Sequence, residues 1–230
     1  MKACIVSDSH DRATDLEAAV VAAKAEGARV VIHCGDVIGG NTLRPLVRHG
    51  LPVHVVHGNN LGDPGAFARI GAATGGLIHY HGADAELTLA GRRVVVTHYP
   101  HYGRGLACTG DWDVVCCGHS HEAGVDRQPN LKGGHTWLVN PGTVAGLGAP
   151  ATWIFADFET LWLRRMTIEM PDGEIYELLS VSDLVQAKKT QRAKDWPVIE
   201  ALVSIHYREN AANPQPDWVA FWLGEARSPE

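Results

Sequence analysis

Five short apolar runs in this chain each stop at a polar or glycine-rich turn, and each turn carries Asp, Asn or His. Ala3-Cys4-Ile5-Val6 runs into Ser7-Asp8-Ser9-His10, and Val30-Val31-Ile32-His33-Cys34 into Gly35-Asp36. Val53-His54-Val55-Val56-His57 meets Gly58-Asn59-Asn60, Val94-Val95-Val96-Thr97 meets His98, and Val114-Val115-Cys116-Cys117 meets Gly118-His119-Ser120-His121. β-branched runs this short, bounded by turn residues, read as buried strands. Between the first two, Ala13 to Gly27 has helical spacing, with Thr14 or Asp11 as candidate caps and Gly27 as the stop. Shorter helices are expected over Thr42 to His49 and, behind an Asp63 cap, over Pro64 to Ala73. The opening is therefore β-α-β-α-β, which favours a mixed or parallel sheet covered by helices.

The second half reads as strand with little helix: Glu86 to Leu89, Arg92 to Thr97, Val114 to Cys117, Thr136 to Asn140, Thr152 to Asp157, Leu161 to Ile168 and Glu174 to Leu179. Turn signals at Ala90-Gly91 and Pro171-Asp172-Gly173 suggest a largely antiparallel sheet packed on the first. The expected division is a domain over 1–181 and a helical extension over 182–230. Trp196, Trp218 and Trp222 in the extension imply docking on the domain or on a second copy of the chain.

Composition narrows the function. Hydrophobic residues make up 45% of 230, and the net charge of -6 argues against a nucleic-acid-coating or anionic-membrane protein. No apolar run reaches the roughly 18–20 residues of a membrane span. The N-terminus turns polar too early for a signal peptide, so a cytoplasmic location is expected. Five cysteines without regular spacing are neither a disulfide framework nor a zinc ribbon.

Thirteen histidines are the anomaly, and their placement sorts them. Asp8, His10, Asp36, Asn59, His98, His119 and His121 all lie at strand ends, where ligand sites of α/β folds gather. Seven O and N donors without a thiolate suit two divalent metals such as Mn, Fe, Zn, Ni or Co, bridged by a carboxylate. Such a pair generates hydroxide at neutral pH and clamps both oxygens of an in-line phosphoryl displacement. His33, His54 and His57 read as histidines within strands, and His49, His79, His81, His135 and His206 as surface residues. His101 reads as a pocket wall on a loop, with a proton donor as the lesser alternative.

In this order the motifs Asp8-Ser9-His10, Gly35-Asp36, Gly58-Asn59, His98 and Gly118-His119-Ser120-His121 resemble those of the calcineurin-like metallophosphoesterases. Val139-Asn140-Pro141-Gly142-Thr143 is similar to the Asn-Pro-Gly-Ser motif of their small bacterial and archaeal phosphodiesterase branch. The resemblance covers residues 1 to 168. It implies an α/β fold, a four-layer αββα sandwich, with two divalent metals, manganese foremost, and hydrolysis of a small phosphoester by a metal-bridging hydroxide. Carried over, Asp8, His10, Asp36 and His121 hold one metal, and Asp36, Asn59, His98 and His119 the other. Asp36, Asn59 and His98 are then also the catalytic residues. Asn60 stands where many members have a proton-donating His, which favours phosphodiesters over monoesters. Tyr99 replaces a common Gly, so Tyr99-Pro100-His101-Tyr102 is expected to shape the substrate pocket. The alternatives are a phosphomonoesterase acting on nucleotides or phosphoproteins, and a metal-free scaffold.

Overall fold

A computed structural model of the chain describes residues 1–168, together with Val203, Ser204, His206, Tyr207, Arg208, Ala211 and Val219. The chain divides into two compact units, Met1–Met170 and Pro171–Glu230. In the second, Val203, Ser204, His206 to Arg208 and Val219 are helical. The expected strand over Glu174 to Leu179 and the three tail tryptophans lie outside the described residues.

In chain order the first unit contains β1 (Lys2–Val6), α1 (Ala13–Ala25), β2 (Val30–His33), a 3-10 helix (Gly40–His49), β3 (Val53–Val55), α2 (Pro64–Ala73), β4 (Ile78–Tyr80), β5 (Asp84–Leu89) and β6 (Arg92–Thr97). It continues with α3 (Pro100–Thr109), β7 (Val114–Cys116), β8 (Ala123–Pro129), β9 (His135–Pro141), β10 (Thr152–Asp157) and β11 (Trp162–Thr167). One sheet has the order β11-β10-β1-β2-β3-β4 and the other β5-β6-β7-β9-β8.

Because side chains alternate along a strand, the β1 residues face two cores. Cys4 and Val6 pack with Leu16, Val20, Leu43 and Phe67 under α1, the 3-10 helix and α2. Ala3 and Ile5 pack with Ile32, Val94, Val96 and Val139 between the sheets. Val95, Val115 and Leu138 pack under Ala107 of α3. Helix, sheet, sheet and helix are the four layers.

Several expectations need correcting. The second sheet is mixed: β6–β7 and β7–β9 are parallel, while β5–β6 and β8–β9 are antiparallel. β10 and β11 join the first sheet instead, β10 antiparallel to β1. Pro100–Thr109 is helix, so His101 stands on α3 rather than on a loop. The segment before His49 is a 3-10 helix with Pro45 inside it, where the missing N–H denies an α-helical bond. Neither Thr14 nor Asp11 caps α1, whose N-cap position is Arg12. Asp11 Oδ1 instead accepts from Gly39 N at 2.7 Å and Thr42 Oγ1 at 2.8 Å, tying the first loop to the second. Asp63 does cap α2, accepting from Gly65 N at 2.8 Å.

Candidate metal centre

The loops after β1, β2, β3, β6 and β7 bring together the seven strand-end residues. Asp8, Asp36 and His98 are buried, and His10 and His121 are half-buried. Five of the seven, Asp8, His10, Asp36, His119 and His121, sit at φ between 42° and 70°, in the left-handed region. Non-glycine residues there cost on the order of 1–3 kcal/mol each, a strain that concentrates at functional sites.

Close backbone approach explains the glycines of the motifs. A Cβ on Gly118 would stand 1.9 Å from Ser7 Oγ and 2.8 Å from Asp8 Oδ2. On Gly58 it would stand 2.0 Å from Asp36 Oδ1 and 2.6 Å from His98 Nε2. The strand ends meet only because these positions have no side chain.

Two imidazoles have their tautomers set by backbone carbonyls. His98 Nδ1 donates to Cys34 O at 2.8 Å, and His121 Nδ1 donates to Leu147 O at 2.6 Å. In the neutral rings both Nε2 atoms are then bare lone pairs, the arrangement that outer-shell partners give metal-binding histidines. His98 Nε2 lies 3.4 Å from Asp36 Oδ1 and 3.1 Å from Asn59 Oδ1, which also lies 2.7 Å from His119 Nδ1. His121 Nε2 lies 3.3 Å from Asp8 Oδ1 and 3.3 Å from His10 Nε2. His10 Nε2 is in turn 3.7 Å from Asp36 Oδ2. Asp8 Oδ1 is buried with no hydrogen-bond partner.

These are electron-pair donors facing one another, which repel unless a proton or a cation stands between them. Two donors at about 2.0–2.1 Å from one tetrahedral ion lie about 3.3 Å apart, close to most of these separations. Asp8, His10 and His121 offer three such atoms to one ion, and Asp8, Asp36 and His98 form an overlapping group. The donor set fits divalent metals. Electrostatics agree: burial opposes ionisation of Asp8, but His10 and the His119 N–H prevail and hold its carboxyl below the usual range. The contact with Asp8 raises the pKa of His10.

Asn60 has a role that sequence reasoning missed. Its backbone N–H donates to Asp36 Oδ1 at 2.8 Å and its Nδ2 to Asp36 Oδ2 at 2.7 Å. A carboxylate has about four lone-pair positions, so one on each oxygen is taken and one remains. Asn60 thereby presents Oδ1 toward His98 and Oδ2 toward His10. The Asn-Pro-Gly-Thr segment braces the opposite wall. Asn140 Nδ2 donates to Gly118 O and Ser120 Oγ, both at 2.9 Å, and Thr143 Oγ1 donates to Asp8 O at 3.0 Å.

The remaining histidines divide between brace and surface. His33 is buried and accepts from Gly35 N at 3.2 Å, so its Nε2 carries the proton shared with Ser9 Oγ at 3.0 Å. Burial pushes its pKa down to about 4. His57 lies beyond β3 rather than in it, and pairs through Nδ1 with the Tyr80 hydroxyl at 2.7 Å. His49 is not simply a surface residue, being half-buried against Glu17. His79, His81, His101 and His135 are exposed.

The chain belongs to the calcineurin-like phosphoesterase superfamily, whose domain model matches residues 1–161, and is by class a hydrolase of phosphoesters. Among curated proteins it is similar to the phosphodiesterase MJ0936 of Methanocaldococcus jannaschii, at 24% identity over 175 residues, which are 74% of this chain and 100% of the relative. A solved structure described as a novel archaeal phosphodiesterase superposes with a TM-score of 0.65 at 22% identity, covering 73% of this chain and all of the other. The PH1004 protein of Pyrococcus horikoshii gives 0.51 at 12% identity, covering 86% of this chain and 97% of that one. At these identities the structural likeness defines the fold.

Proposed function

We propose that the protein hydrolyses phosphodiesters at a centre of two divalent metals. Asp8, His10, Asp36 and His121 hold one, and Asp36, Asn59, His98 and His119 hold the other. The observations that carry this reading are two donor groups that overlap at Asp8, whose Oδ1 is otherwise orphaned, and Asp36, whose Oδ2 faces His10 of one group while its Oδ1 faces His98 of the other. Bound there, the metals supply Lewis acidity toward the phosphoryl oxygens and lower the pKa of water. The residues of the chain fix the geometry: Cys34 O and Leu147 O aim two imidazoles, and Asn60 aims Asp36.

The preference for diesters rests on proton supply. The Asn60 amide cannot act as an acid, and its backbone N–H and one Nδ2 hydrogen are engaged by Asp36. Without an acid there, rate depends on how stable the departing oxyanion is. Aryl diesters are therefore favoured and alkyl monoesters disfavoured. Manganese is the metal we place first. A cytoplasmic location also belongs to this reading, supported by five free cysteines. Among the described residues no helix is long and apolar enough to cross a membrane.

The test is metal analysis of protein purified without chelator, followed by Mn-supplemented assays on bis-p-nitrophenyl phosphate and on an alkyl monoester, glycerol phosphate. Metal-dependent turnover of the diester above the monoester is expected. A metal-free protein inactive on both is the scaffold outcome and would reject the reading.

A further inference from the structure

Beside the candidate metal centre, between β5, β6 and α3, opens a cavity of about 630 Å³ that reaches Gly58 and His98. One wall is aromatic. The Tyr99 ring stands 5.1 Å from His119, 5.5 Å from His101 and 5.6 Å from Tyr102, so a strip of rings runs from the metal centre into the cavity. Trp112 also lines the cavity. The other wall carries Asp84 and Glu86 of β5, and no Lys or Arg lines the cavity. Neither carboxylate has a side-chain hydrogen bond or ion pair among the described residues.

This combination has a charge preference. Ring faces attract cations through their quadrupoles, and aromatic-walled pockets recognise quaternary ammonium groups. Two carboxylates with no partner among the described residues add attraction of the same sign and repel further phosphate groups. A neutral planar base can stack on the rings but leaves the carboxylate charges unanswered. We propose that this cavity is the subsite for the alcohol retained on phosphorus, and that it takes an organic cation: a quaternary or primary ammonium on a short alkyl chain. The proposal rests on the phosphodiesterase reading and adds the substrate class. In the reaction, water oxygen bonds to phosphorus, the bond to the leaving oxygen breaks with its electron pair departing as the oxyanion, and the cationic alcohol stays esterified. One water proton remains on the product phosphate and the other passes to solvent.

Three p-nitrophenyl diesters with a common leaving group test it, since only the retained alcohol changes. The second alcohol is choline, 3,3-dimethylbutanol (the uncharged isostere of choline) or the 5′-hydroxyl of thymidine. The full-length Mn-loaded protein is expected to show kcat/KM about 10-fold higher for the choline ester than for the dimethylbutyl ester, chiefly through KM. That ratio should fall toward one in Glu86→Gln and in Tyr102→Ala. Both side chains are exposed, Tyr102 at 59%, so both variants should fold. Equal values for the choline and dimethylbutyl esters, or preference for the thymidine ester, overturn the subsite while leaving the phosphodiesterase reading intact. No turnover of any ester overturns both.

Discussion

Asp36 and Asn60 carry the sharpest residue-scale consequences. Asp36 turns Oδ2 toward His10 and Oδ1 toward His98, whereas Asn59 offers a neutral oxygen to His98 and His119 only. Asp36→Asn should therefore reduce both bound metal and turnover more than Asn59→Ala. Elemental analysis and assay check this, and equal losses would count against the bridge. Asn60 predicts a subtler effect. Partners that orient ligands typically contribute about 10- to 100-fold in metal affinity or activity. Asn60→Ala removes the Nδ2 bond and keeps the backbone bond, so metal affinity by calorimetry should weaken about 10-fold. Asn60→Asp, which sets an acceptor against Asp36, should weaken it further. Asn60→His offers a possible acid but loses the same bond. Its leaving-group dependence should flatten while its metal affinity falls.

Among the elements, two glycines make opposite predictions for stability. In Gly118→Ala the new Cβ meets Ser7 Oγ at 1.9 Å, inside the loop that holds Asp8. Overpacking of this kind costs about 1–3 kcal/mol. Gly105 in α3 has open space around its Cβ position, so Gly105→Ala should stabilise by about 0.5–1 kcal/mol through helix propensity. Thermal melts of the two variants should move in opposite directions. The strand pair β3–β4 adds a pH effect. Burial, then the neighbouring His79 and His81, lower the pKa of His54 to about 4. Between about pH 6.5 and 4 the unfolded chain then binds more protons than the folded one, so stability falls as pH drops through that window. His54→Gln should lose less Tm between pH 7 and 5 than the parent. Buried His33 acts in the same direction, so the slope should shrink rather than vanish.

For the whole molecule, the Methanocaldococcus jannaschii relative and the archaeal phosphodiesterase structure are each covered along their full length by about three-quarters of this chain. The unit Met1–Met170 contains both sheets and all seven candidate ligands. A 1–170 fragment should therefore melt cooperatively and bind metal. A fragment that stays unfolded would show that 171–230 is needed for the fold. Metal bound to the native state alone stabilises by mass action. Chelation should lower Tm, and saturating Mn should restore it.

The sequence by itself determined what is local. β1 and β6 follow from β-branched runs, and α2 from an Asp63 cap with Pro64 behind it, because propensity and capping act within a few residues. The candidate ligands were equally legible, since each one closes a strand. Only tertiary structure decided the rest. α3 was obscured by Pro100, Gly103 and Gly105, and Gly103 is there because a Cβ would come within 3.3 Å of Cys117 Cβ. β10 reads like the strands before it, yet it pairs with β1, about 150 residues away in sequence, a choice that long-range packing makes and local propensity cannot. Asn60 read as a missing acid. Its grip on both oxygens of Asp36 exists only once β2 and β3 lie side by side.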